Sequence, residues 1–175
     1  DMRASGVDLA DALIHGIQTA GSDVIDLEMC TTPMLYFSVP AKNADLGFMV
    51  TASHNPSQYN GCKICGKDAV PISYESGLSD VEKLMQNSAP TGALSGRRVT
   101  ADITERYYSA LLSKCHHNRI KPLTIAIDGG NGTIGRFIPQ LFSRLPARLV
   151  PLYFTPDGTF PNHEANPLKK NNMVD

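Results

Sequence analysis

Short apolar runs alternate with stretches of helical periodicity along most of the chain, and that alternation points to an α/β fold. Leu9, Leu13, Ile14 and Ile17 recur at helical spacing, with Ser5 or Asp8 available as a cap and Gly21 as the stop. Residues 22–29, SDVIDLEM, read as a strand. Thr32 then offers a cap and Pro33 a first helical position. DLGFMVTA at 45–52 is the next expected strand, CKIC at 62–65 a short extended run, and GLSDVEKLMQ at 77–86 a further helix.

Residues 88–100, SAPTGALSGRRVT, have the composition of a linker, and the rhythm restarts after them. Asp102, with Glu105 three residues later, makes a capping-box arrangement ahead of a helix. LTIAID at 123–128 is a buried-type strand, TIGRFIPQLFSRL at 133–145 a helix interrupted by Pro139, and ARLVPLYF at 147–154 another strand. The tail, 155–175, has no period and reads as loop. The expected division is a first domain over 1–90, a linker over 91–101 and the N-terminal part of a second domain over 102–175. Asp-Met-Arg at the start reads as the end of a strand already under way, so the chain is expected to be a piece of a longer polypeptide.

Composition narrows the function classes. Hydrophobic residues make up 42% of the 175, enough for a packed core and too many for a disordered chain. A net charge of -1 without a basic block argues against nucleic acid as a partner. No apolar run approaches the roughly 18 residues of a membrane span, and the N-terminus has no signal-peptide pattern. Four cysteines in a chain with this patterning favour a reducing cytoplasm. Cys62 and Cys65 form a CxxC, but no second pair completes a zinc site, and an extended segment turns the two thiols to opposite faces. Free thiols are the expectation.

Chemistry concentrates in MVTASHNPSQYNGCKICG, residues 49–66. Ser53 directly follows an apolar strand, where α/β sheets place their ligands, and the polar turn after it can face backbone N–H groups toward an anion. Lys63 and Arg3 supply positive charge. His54 is a poor base for its own neighbour, since adjacent side chains of an extended segment point apart, and the G-x-S-x-G elbow of hydrolases is absent. Cationic neighbours suit a serine that holds a phosphoryl group. From the residues alone, phosphoryl transfer, hydrolysis and a structural turn all remain open.

Gly130, Gly132 and Gly135 spell G-x-G-x-x-G between a strand and a helix, the dinucleotide fingerprint. Asp128 and Gly129 lengthen the turn, and the following strand ends without a ribose-binding acid. A tight structural turn, with Asp128 as cap or turn acceptor, is the preferred reading. His15 falls on the polar side of its helix, His116 and His117 at a helix end, and His163 in a loop it is expected to position.

Several segments, in order, resemble the α-D-phosphohexomutases, the phosphomannomutase/phosphoglucomutase family. TASHNP followed by YNGCK resembles the active-serine loop, DMRASG at 1–6 the early D-x-R-x-S-G segment, and TTP at 31–33 the start of a helix. DGGNGTIG at 128–135 resembles the turn opening the second domain, and PDGTFPNHEANP at 156–167 the stretch before the metal loop. The resemblance implies helices sandwiching a mixed sheet in domain I, and a partial domain II of similar α/β/α topology. It implies interconversion of hexose 6-phosphate and hexose 1-phosphate through a phosphoserine at Ser53 and a bound 1,6-bisphosphate, mannose phosphate being favoured. Lys63 matches the proton-transfer and phosphate-neutralising lysine and Arg3 the arginine near the phosphoserine, while His54, Asn55 and Asn60 belong to the phosphate loop. Mg²⁺ is implied, bound through the phosphate on Ser53, with its Asp ligands beyond Asp175. The segment alone is then expected to be inactive. Other readings are a non-catalytic phosphate-binding or interaction module and a dinucleotide-binding protein.

Overall fold

The structure, a computed structural model, describes residues 1–87, 92–116 and 120–174. Its elements are α1 (Gly6–Thr19), β1 (Val24–Asp26), α2 (Thr32–Ala41), β2 (Gly47–Val50), β3 (Cys62–Cys65), α3 (Ser79–Met85), β4 (Arg98–Thr100), α4 (Thr104–Ser113), β5 (Thr124–Asp128), α5 (Ile134–Phe142) and β6 (Arg148–Leu152). The fold is α/β, with parallel pairs β1–β4 and β5–β6 and an antiparallel pair β2–β3. Two compact units emerge. One gathers Asp1–Ala4, Thr51–Asn60 and Ile103–Asp175; the other holds Ser5–Val50 and Gly61–Asp102.

In the second of these units α1 buries Ile14, while His15 is exposed as its polar spacing requires. Leu9 is 45% exposed, and the buried positions of α1 are Gly6 and Ile14. The cap of α2 is Thr31 and not Thr32: its hydroxyl accepts from Met34 N–H at 3.4 Å, and Thr32 already belongs to the helix. Met34, Leu35, Ser38 and Val39 form the buried face of α2. β2 can approach it closely because Gly47 carries no side chain; a Cβ there would sit 2.6 Å from Val39 Cγ2 and 2.8 Å from Cys65 Sγ. Gly47→Ala should therefore cost about 2 kcal/mol by overpacking. Urea denaturation measures it, and a loss below about 0.5 kcal/mol contradicts this packing.

The stretch with linker composition is not wholly irregular. Arg98–Thr100 pairs in parallel with Val24–Asp26, while residues 88–91 lie outside the described ones. Arg98 donates to Asp26 at 2.7 Å and to Asp11 at 3.0 Å, and Arg97 donates to Asp23 at 2.6 Å. These pairs are exposed, so register rather than stability is their contribution.

In the other unit β5, α5 and β6 form a strand–helix–strand crossover of the kind parallel pairing requires. Its core holds Ile103, Tyr108 and Phe137, and the Tyr108 hydroxyl donates to Phe137 O at 2.6 Å. Asp102 does not take the capping position of α4. Ile103 occupies it with helical dihedrals and no side-chain cap bond, since burial of Ile103 fixes where the helix begins. Nor does Pro139 interrupt its helix, because α5 runs through it to Phe142. His116 follows α4 as expected, and His117 lies outside the described residues.

Candidate active site

β2 ends at Val50, and Thr51–Asn60 forms an irregular loop before β3. Thr51 and Ala52 are buried, and Ser53 to Tyr59 are exposed. The loop's form follows from Arg3, which is 2% exposed. Its Nη1 donates to Pro56 O at 2.7 Å and Tyr59 O at 2.9 Å. Its Nη2 donates to Ser53 O at 3.0 Å and Asn55 O at 2.8 Å. Nε lies 3.3 Å from Asp1 Oδ2, an ion-pair distance without hydrogen-bond geometry. The Phe160 ring covers the guanidinium with its centroid 5.2 Å away. Burial lowers the pKa of Arg3, and four carbonyl dipoles and one carboxylate compensate the buried charge.

That cage turns the loop's carbonyls inward. Three N–H groups expected to face an anion are also occupied: Ser53 N–H donates to Thr51 Oγ1, Asn55 N–H to Ala52 O and Tyr59 N–H to Pro56 O. Ser53 itself sits at φ 55°, a left-handed conformation that costs a serine of order 1–3 kcal/mol. Its exposed hydroxyl has no hydrogen-bond partner among the described residues.

His54 Nδ1 lies 3.1 Å from Ala165 O. A carbonyl only accepts, so Nδ1 carries the proton and ties the serine loop to the tail. Asn60 is half-buried at the loop's end. Lys63 stands in β3 opposite Met49, in the other compact unit. Among the described residues no group of three or more His, Cys, Asp or Glu side chains is placed to hold a metal. Ser53 Oγ by itself offers magnesium a single protein oxygen, so the described residues do not make up its site.

The glycine-rich turn is filled by the chain itself. Asp128 Oδ1 accepts from Gly130 N–H at 2.7 Å, making it the turn acceptor expected. Asn131, Gly132 and Gly135 donate their N–H groups to Tyr153 O, Gly129 O and Gly132 O, leaving none of these for a phosphate. A Cβ on Gly135 would lie 1.9 Å from Phe154 O, so the third glycine admits the protein's own backbone. His163 Nε2 lies 2.9 Å from Asp128 Oδ2, and its ring meets Tyr153 edge-on, which pins the 156–167 segment to the end of β5.

All four cysteines are free. Cys62 is exposed and Cys65 wholly buried, as opposite faces of β3 demand. Burial, with Asp26 adding to it, pushes the Cys30 thiol up to about 11, and burial raises Cys62 and Cys65 as well, so exposure sets the order in which they react. At pH 8 iodoacetamide should alkylate Cys62 and Cys115 well before Cys30 and Cys65, as peptide mapping over time will show. Equal labelling of Cys30 contradicts its burial.

Comparison with known proteins gives two matching family profiles. The phosphoglucomutase/phosphomannomutase α/β/α domain I profile matches residues 1–91, and the domain II profile residues 105–175. A phosphomannomutase of Salmonella montevideo is 38% identical over 96% of this chain and 39% of its own length. A phosphomannomutase/phosphoglucomutase of Pseudomonas aeruginosa is 35% identical over 100% of this chain and 37% of its own length. A crystal structure of a phosphoglucomutase/phosphomannomutase family protein from Burkholderia thailandensis superposes with a TM-score of 0.84 at 30% identity, covering 99% of this chain and 38% of that one. The chain thus spans under two fifths of the length of these relatives.

Proposed function

The chain belongs to the phosphoglucomutase/phosphomannomutase family, and from that premise we propose that the whole protein interconverts hexose 6-phosphate and hexose 1-phosphate. Ser53 is the phosphoryl carrier. The observation that carries this reading is an exposed serine held left-handed on a loop whose carbonyls a buried arginine ties down. Such a hydroxyl is presented to a substrate and kept from wandering.

In the proposed cycle the P–O bond to Ser53 Oγ breaks as a sugar hydroxyl attacks, giving the hexose 1,6-bisphosphate. The sugar's proton leaves to a base. After the bisphosphate turns over, its other phosphoryl group returns to Oγ. Lys63 serves proton transfer at Oγ and balances phosphate charge, while Asn55 and Asn60 shape the phosphate loop. His54 and Arg3 act on the chemistry through the loop, His54 by its bond to Ala165 O and Arg3 by its carbonyl cage. A magnesium ion, with the phosphate on Ser53 as one of its ligands, would supply charge neutralisation when bound. The proposed domain division is 1–90 and 102–175 with a linker between, and the proposed location is the cytoplasm. No helix among the described residues is long and apolar enough to cross a membrane.

The full-length protein, given mannose 1-phosphate, Mg²⁺ and a trace of hexose 1,6-bisphosphate, should form mannose 6-phosphate. It should turn over glucose 1-phosphate more slowly. No product from either sugar overturns the proposal.

A further inference from the structure

The arginine cage fixes the carbonyl side of the serine loop, and a separate set of bonds fixes its amide side. Thr51 is 9% exposed, and its Oγ1 accepts from Ser53 N–H at 3.1 Å. A threonine hydroxyl has a single proton, and that proton is donated to Asp1 Oδ2 at 2.6 Å. With its hydrogen so committed, the oxygen presents lone pairs to the Ser53 amide. Asp1 is in turn oriented by Arg3 N–H, which donates to Asp1 Oδ1 at 3.0 Å. The bond from Thr51 spans two residues, the local side-chain turn that competes with extended backbone. It bears directly on the residue that holds φ 55° against its intrinsic preference.

We infer that Thr51 is a positioning residue for the phosphoryl-carrying serine: the Asp1–Thr51 pair holds Ser53 in its left-handed turn and so aims Oγ at the substrate. This rests on the phosphoserine reading. A valine at 51 keeps the shape of threonine but removes both the acceptor and the donor. A serine keeps them.

In the full-length protein Thr51→Val should lower kcat roughly tenfold while KM for the hexose phosphate moves less than about twofold. Thr51→Ser should stay within about threefold of wild type. Wild-type kcat in folded Thr51→Val, or equal loss in both variants, overturns the inference. Should Thr51→Val fail to fold, amide exchange on the wild type decides. Slow exchange at Ser53 N–H supports the bond, and exchange as fast as in an unstructured peptide overturns it. A wild type whose Ser53 takes no phosphate from hexose 1,6-bisphosphate sinks the phosphoserine reading instead, and the amide measurement tells the two failures apart.

Discussion

Ser53→Ala in the full-length protein is expected to abolish hexose phosphate interconversion, with kcat falling by roughly 10⁴-fold or more. Removing the atom that carries the transferred group leaves only binding and electrostatic help, and losses of this order follow when a covalent nucleophile goes. Stability should barely change, because the Ser53 side chain is exposed and alanine removes only a solvent-facing hydroxyl. Ser57, also exposed and four residues further along the same loop, is the control. Ser57→Ala should remain within about threefold of wild type. A coupled assay of mannose 6-phosphate formation measures both, and activity within tenfold of wild type in Ser53→Ala contradicts the assignment.

Arg3→Met is expected to cost about 3–5 kcal/mol of stability and to slow phosphorylation of Ser53 more than tenfold. Methionine fills the space beside Phe160 but takes the guanidinium donor from the carbonyls of Ser53, Asn55 and Tyr59, leaves Pro56 O with Tyr59 N–H alone, and leaves Asp1 without its cation. Arg3→Lys should recover only part of this, since an ammonium has three donors and no planar fork to reach four acceptors. Urea unfolding and limited proteolysis of the 53–60 loop measure the two effects. A loss under about 1 kcal/mol with the loop still protected means that the cage does not hold it.

How far the sequence led is instructive at these same residues. The serine loop was legible because it combines rare features: an apolar strand that stops abruptly, turn-forming polar residues, and a lysine ten residues on. The α/β class was legible from periodicity. Arg3 was legible as a cation but not as the hub of the loop, because its partners are backbone carbonyls, and every residue has one. Thr51 escaped notice for a related reason: it reads as the last residue of a strand until Asp1, fifty residues away, orients its hydroxyl. Elements were misplaced where tertiary contacts override local signals. Buried Ile103, and not Asp102, takes the cap position ahead of α4. Three residues of apparent linker become β4 because β1 offers them a parallel partner.

The central claim is that Ser53 carries the phosphoryl group, and mass spectrometry tests it most directly. After incubation of the full-length protein with hexose 1,6-bisphosphate, a single phosphate should appear on the peptide containing Ser53, be localised to that residue, and be lost when hexose monophosphate is supplied in excess. An unmodified Ser53 peptide in a protein that nevertheless interconverts the hexose phosphates would contradict the account.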